Sequence, residues 1–376
     1  MYGGEPGEGT LFCKKGFPPP VPRRTSPTIM TNLIDLTFHE LEALVVSLGE
    51  PPYRARQVWQ WLWQKACRDI AAMTDVSKGL RARLAGVAGI SWPTVAAVRE
   101  SSDGTVKFLL SLADGESVEC VLIPEKDHYT ACLSTQVGCA MGCGFCATGM
   151  LGFRRNMTSG EMLGQVLVAR QYLLDRGVTV LLRNLVFMGM GEPLLNYENL
   201  VKTLEALHHP QGLDFSSRRI TVSTAGVARH LLELGRSGLC SLAVSLHAPT
   251  QAIREKIMPG AAKLPLDELM ALLAQYPLKP RERLTFEYLL LAGVNDSDAD
   301  ARELVRLLSR VKAKVNLIVF NATPGLPYKP PSADRVFAFQ ELLKAKGLTA
   351  TLRKSKGADI AAACGQLRGE CEAAGA

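Results

Sequence analysis

The chain has 376 residues, of which 47% are hydrophobic and 21% charged, with a formal net charge of +7. Those values suit a folded globular protein of about two domains and exclude a disordered or fibrous chain. No run approaches the roughly eighteen apolar residues of a membrane span, and the Gly- and Pro-rich start lacks the apolar stretch of a signal peptide. No membrane association is expected, and a reducing cytoplasm is the expected home. There, clustered cysteines read as metal ligands or catalysts rather than disulfide staples.

Residues 1–30, with Pro18-Pro19-Pro20 and Arg23-Arg24, read as a disordered tail, and Met30 is a candidate start of the globular sequence. Residues 31–92 read as a small helical accessory domain. Thr37 and Glu40 form a capping box for a helix to about Leu48, a second helix runs from Tyr53 to about Ala66, and a third from Ser77 to about Ala85. Trp59 and Trp63, four apart on the second helix, are expected in the core rather than as base-stacking platforms. Between Pro51 and Ile90 lie seven basic and two acidic residues, and between Lys344 and Lys356 five basic and none acidic. Two such runs suit a polyanion laid over a catalytic face, against the plainer reading of solvated helix surface.

Residues 93–125 change to short β-rich runs around Asp103-Gly104 and Asp114-Gly115, which predicts a three-stranded antiparallel linker with Glu119 and Cys120 on opposite faces of its last strand. From 126 to 346 six apolar strands alternate with helices, at Thr130–Gln136, Leu182–Met188, Arg219–Ser223, Ser241–Leu246, Leu284–Leu290 and Val315–Phe320. That rhythm predicts an α/β fold with a helix-covered parallel sheet, whose ligands sit beyond the carboxyl ends of the strands. A C-terminal segment, 347–376, carries a short strand and Cys364.

Just after the first of those strands, Cys139 to Cys146 reads Cys-Ala-Met-Gly-Cys-Gly-Phe-Cys. Three thiolates, Cys139, Cys143 and Cys146, suit three corners of a [4Fe–4S] cube and leave one iron for something that is not protein. A zinc ion with a distant fourth ligand, or three packed core cysteines, are the alternatives.

The Cys-x3-Cys-x2-Cys motif with Phe145 before its last cysteine resembles the signature of the radical S-adenosylmethionine superfamily, whose fold is a six-stranded partial (β/α) barrel. Gln136-Val137-Gly138-Cys139, Met188 to Pro193, Val222 to Gly226, Ser245 to Pro249 and Gly357 to Leu367 narrow the match. Together they resemble the dual-specificity adenine-C2 methyltransferases of 23S ribosomal RNA and transfer RNA, from about Leu33 to Gly369. The resemblance implies that S-adenosylmethionine, two molecules per turnover, is contacted by Gly191, Glu192, Ser223, Ser245, Leu246, His247 and Asn321.

It further implies three catalytic roles: Cys364 as methyl carrier, Cys132 as resolving thiol and Glu119 as acceptor of the C2 proton. One S-adenosylmethionine methylates a cysteine, a second supplies a radical, and the resulting protein–RNA adduct is released as a Cys132–Cys364 disulfide. A flavodoxin-type electron donor and a thiol reductant for that disulfide are the implied partners, with the enzyme acting as a monomer. Cys67, Cys120 and Cys240 are assigned to packing, and Cys13 and Cys371 carry no assignment. A sister enzyme that methylates C8, or a non-catalytic iron–sulfur or zinc protein of ribosome assembly, would share part of this pattern.

Overall fold

The computed structural model describes residues 30–369; the tail expected before Met30, with Cys13, and also Cys371, lie outside the described residues. Near the start, Thr37 and Glu40 close the expected capping box on α1 (Phe38–Ser47). Helices α2 (Tyr53–Trp63) and α3 (Lys78–Val87) follow. Trp59 and Trp63 are fully buried, and the Trp59 ring packs edge-on against Phe38 and His209. This helical region has no core of its own: its apolar side chains belong to the same cluster as those of the sheet.

Among the described residues the large sheet has ten strands, which lie in the order in which the chain makes them. Strands β1 (Thr94–Glu100), β2 (Val106–Ser111) and β3 (Ser117–Pro124) are antiparallel, with the Asp-Gly turns where the sequence places them. Strand β4 (Tyr129–Cys132) pairs antiparallel to β3 on one side and parallel to β5 (Leu182–Phe187) on the other. The three strands expected as a linker are therefore a continuous extension of the catalytic sheet. From β4 the ladder is parallel through β6 (Ile220–Thr224), β7 (Ser241–Ser245), β8 (Leu284–Leu290), β9 (Ala313–Val319) and β10 (Thr349–Arg353). The short strand expected after the sixth is thus a seventh parallel member. Helices make the crossovers, beginning with α4 (Ser159–Asp175), whose N-terminus is closed by Thr158 and Glu161 as the sequence predicts.

Phe187, Ser223, Ser245, Glu287, Ile318 and Arg353, from six consecutive strands, line a single small cavity. Six strands laid flat would spread over about 24 Å. A cavity that small can be reached from all six only if the sheet curls around it, which makes it an open, partial barrel. No helix among the described residues is long and apolar enough to cross a membrane.

The first parallel strand is shorter than predicted. It stops near Cys132 because Ser134 and Thr135 are drawn off the sheet: Gln165 holds both the amide and the carbonyl of Ser134 at 2.8 Å, and Asn196 holds the Thr135 carbonyl at 2.8 Å. Gln136–Gly138 then pairs with Phe153–Asn156 in a separate antiparallel ladder, and the cysteine loop is the connection between those two short strands.

Candidate active site

The cysteine loop is shaped by glycines at two close approaches. Gly138 has φ +73°, and a Cβ there would stand 1.9 Å from the Gly152 carbonyl oxygen, which accepts the Cys139 amide at 2.8 Å. Gly149 packs against the backbone of Cys143 in the same way. Gly138→Ala is expected to cost at least the ~1–2 kcal/mol of a left-handed alanine. The ladder must also open to admit the methyl group. Iron and acid-labile sulfide should not load on the variant although its circular dichroism is that of the parent; full loading would show that the loop tolerates the change.

Cys139, Cys143 and Cys146 all line the main cavity. Burial pushes the Cys139 thiol up to about 12, and Cys143 rises well above its ordinary value from burial first and then from Cys146 and Cys139. Cys146 is raised too, again chiefly by burial. Three thiols that oppose one another's ionisation form thiolates only around a strongly cationic group. Among the described residues, no three His, Cys, Asp or Glu side chains are arranged to hold a single metal ion. The chemistry of the donor set, three thiols and no more in one loop, fits three corners of a multi-iron cluster.

Opposite this wall, Gly191 and Glu192 follow β5. Gly191 has φ +98°, and a Cβ would meet the Gln136 side chain at 2.5 Å, so the glycine is required by the loop passing beneath it. Glu192 is buried; its carboxylate accepts the amides of Ala225 at 2.7 Å and Leu194 at 3.1 Å. Burial raises its carboxyl above the ordinary value while those amides pull it partly back.

Ser223 and Ser245, near and at the ends of adjacent strands, place their hydroxyls 3.2 Å apart on the cavity wall. His247 sits at φ +55°, where its Nδ1 accepts the Leu289 amide at 3.0 Å. Burial, and then the Arg254 charge, push it down to about 3, so the ring is neutral and its proton is on Nε2. Leu246 is fully buried and Asn321 lines a neighbouring cavity; neither side chain is on the main wall.

That second cavity is lined by Cys132, Asn321, Arg353 and Cys364. Cys364 and Arg353 line both cavities, so the methyl-carrier candidate stands between the cysteine loop and the resolving-thiol candidate. Burial and then Cys364 push the Cys132 thiol up to about 12. Arg353, held above its ordinary value first by Cys364, faces both thiols. The segment carrying Cys364 is fastened mainly through its backbone: the Gly365 carbonyl accepts the Ala147 amide at 2.7 Å and the Leu367 carbonyl accepts the Thr148 hydroxyl at 2.7 Å.

Glu119 is part of that fastening. Its carboxylate pairs with Lys107 at 2.9 Å and accepts the backbone amides of Arg368 at 2.6 Å and Gly369 at 3.2 Å. It does not line the main cavity. Glu119 and Cys120 point to opposite faces, yet both are buried, because the C-terminal segment covers one face and the apolar core the other.

Three residues not singled out from the sequence hold the site together. Fully buried Arg254 donates to the carbonyls of Leu246 and Ala225, tying together the ends of β6 and β7. Arg353 and Glu287 line the main cavity. For Glu287 the available signal was a glutamate inside the otherwise apolar run Leu284–Leu290; Arg254 and Arg353 lie among polar neighbours, where the sequence offers no such signal. The two basic runs change meaning as well. Arg353 is turned into the cavities and Lys344 pairs with Glu341, while Arg83 pairs with Glu50 and Lys65 and Arg68 lie over Trp61 and Trp92.

Comparison with known proteins agrees with this geometry. The model of the ribosomal RNA large subunit methyltransferase N-terminal domain matches residues 31–90, and that of the radical SAM superfamily matches residues 133–305. A protein of Solidesulfovibrio magneticus named dual-specificity RNA methyltransferase RlmN is 86% identical, over 92% of this chain and 99% of its own. The chain belongs to the RlmN family. A second RlmN, from Nitratidesulfovibrio vulgaris (strain Miyazaki F), is 62% identical over 90% of this chain and 94% of its own. The crystal structure of a radical SAM methyltransferase from Sphaerobacter thermophilus superposes with a TM-score of 0.85 at 45% identity, over 90% of this chain and 100% of that one.

Proposed function

We propose that this protein methylates C2 of adenine in 23S ribosomal RNA and in transfer RNA, with a [4Fe–4S] cluster on Cys139, Cys143 and Cys146 and S-adenosylmethionine in the main cavity. The observation that carries the reading is the position of Cys364, which lines both the cavity walled by the cysteine triad and the one that holds Cys132. Adenine C2 lies between two ring nitrogens and is too electron-poor to displace a methyl group from a sulfonium. Cluster and S-adenosylmethionine together supply methyl groups and a one-electron route to a carbon radical.

The protein's own groups then have distinct tasks. Glu192, fixed by two amides, and the Ser223–Ser245 pair present acceptors and hydroxyls to the bound S-adenosylmethionine. His247 presents an Nε2–H donor, and Leu246 contributes backbone only. Cys364 takes up a methyl group; one hydrogen of that methyl would be lost to the radical route that the bound cofactors supply, and the sulfur becomes joined to C2 through the remaining methylene as the C2 proton leaves. Cys132 then attacks the Cys364 sulfur: an S–S bond forms, the sulfur–carbon bond breaks, and its electron pair leaves with the product carbon. Because burial keeps the Cys132 thiol protonated, that attack waits for a base. Glu119 can accept the C2 proton only after Lys107 and the amides of Arg368 and Gly369 release it, so proton removal is coupled to movement of the C-terminal segment.

A flavodoxin-type donor and a thiol reductant complete the cycle in this reading, with the enzyme acting as a cytoplasmic monomer. The target base has to leave its stack to reach the cavity. Hydrolysis of RNA treated with the reconstituted enzyme should yield 2-methyladenosine by mass spectrometry. Finding 8-methyladenosine instead would move the protein to the C8-methylating function.

A further inference from the structure

In strand β8 the sequence Leu284-Thr-Phe-Glu-Tyr-Leu-Leu290 sets one carboxylate among apolar and aromatic side chains. Glu287 is 4% exposed and lines the main cavity. Its two oxygens have different fates. Oε1 accepts from Asn316 Nδ2 at 3.0 Å, while Asn316 Oδ1 accepts from the Thr351 hydroxyl at 2.6 Å. The three residues are in register across β8, β9 and β10, so the sheet itself aligns this chain of donors. Ser245 is the register partner of Glu287 on the other side. Oε2 is buried and has no hydrogen-bond partner among the described residues.

A buried carboxylate oxygen left without a donor is destabilising, and native proteins seldom retain one without use. Here the opposite oxygen is anchored by a relay of two side chains, which fixes the direction of the free one. That is the arrangement of an acceptor held ready for a ligand.

Position within the cavity selects the donor. Glu192 lies five residues beyond the carboxyl end of β5, whereas Glu287 sits inside β8, three residues before its end. The two carboxylates therefore mark different ends. A ligand with its amino-acid end at the cysteine wall turns its ribose, not its ammonium, toward Glu287. A carboxylate receiving ribose hydroxyls is a well-used solution for nucleoside recognition.

We propose that Glu287 is a ligand-binding residue whose Oε2 accepts a hydrogen bond from a ribose hydroxyl of S-adenosylmethionine, with Asn316 and Thr351 as positioning residues. The assignment rests on the reading of the main cavity as the S-adenosylmethionine site. The ribose of the target nucleotide offers the same hydroxyl chemistry, and the test separates the two sources.

The experiment measures binding of S-adenosylhomocysteine and its 2′-deoxy and 3′-deoxy analogues to the anaerobically reconstituted protein and to Glu287→Gln. Glu287→Leu serves as a second variant that removes the acceptor altogether. The parent should lose about tenfold in affinity for at least one deoxy analogue, and both variants should bind that analogue and the full ligand equally, within twofold. The melting temperature of metal-free Glu287→Gln should be no lower than that of the parent, since a buried carboxylate oxygen without a donor has been removed; a purely structural glutamate would lower it. Variants that discriminate against the deoxy analogue as the parent does overturn the assignment. So does a loss of affinity confined to an RNA carrying the target ribose, which gives Glu287 to the nucleotide instead. If the parent binds no S-adenosylhomocysteine at all, the reading of the cavity fails first and the Glu287 assignment falls with it.

Discussion

Cys132→Ala is expected to leave the protein covalently joined to its RNA. Cys132 lines the cavity that Cys364 also lines, and its burial among Ala131, Leu133 and the strands on either side leaves it no solvent-facing task. If its task is to attack the Cys364 sulfur, removing it stops the cycle after the carbon–sulfur bond to the base has formed. Turnover should fall from many products per enzyme to less than one. A species resistant to denaturant and sensitive to nuclease should accumulate toward one RNA per protein on a denaturing gel. Truncation of one small buried side chain costs only a few kcal/mol at most, so the fold should persist. A variant that still consumes S-adenosylmethionine yet forms no adduct would remove Cys132 from the release step.

Cys364→Ala should abolish product altogether, and at an earlier stage. The segment around it is anchored by the carbonyls of Gly365 and Leu367 and by the Glu119 carboxylate holding two amides, none of which involves the thiol. The variant should therefore fold, and its iron and sulfide content should match the parent because Cys139, Cys143 and Cys146 are untouched. What it should lack is a methyl group on the protein. Intact-mass and peptide analysis of the parent should place one methyl on Cys364, and the variant should carry none. A methyl group appearing on another residue of the variant would count decisively against the carrier assignment. Combining both substitutions should reproduce the Cys364 phenotype, since no adduct can form without a carrier.

Much of this architecture was legible because it is written in short-range patterns. The capping boxes at Thr37 and Thr158, the Asp-Gly turns and the strand–helix alternation each depend on residues within a few positions of one another. The cysteine spacing belongs to the same class. Misreadings began where a side chain from elsewhere intervened. Gln165 and Asn196 end β4 early by capturing the backbone of Ser134 and Thr135, and no local rule contains them. Glu119 was placed correctly on its strand face, but the ion pair with Lys107 and the tail amides that enclose it come from a neighbouring strand and from the C-terminal segment. The basic run near the C-terminus looked like one surface; in space Arg353 faces two thiols and Lys344 faces Glu341.

The sequence by itself determined the family and the alternation of strands and helices, since each rests on residue type and spacing within short stretches, while the roles expected of Cys132 and Cys364 came only with the family resemblance. Only the tertiary structure decided that Cys364 stands between two cavities, that Glu119 fastens the tail, and that Glu287 holds one free oxygen. Those facts depend on the register of β7 to β10 and on the curl of the sheet, which bring together residues more than two hundred positions apart. Spacing along a chain carries local geometry, but long-range encounters are set by how many strands pair, in what register and with what curvature.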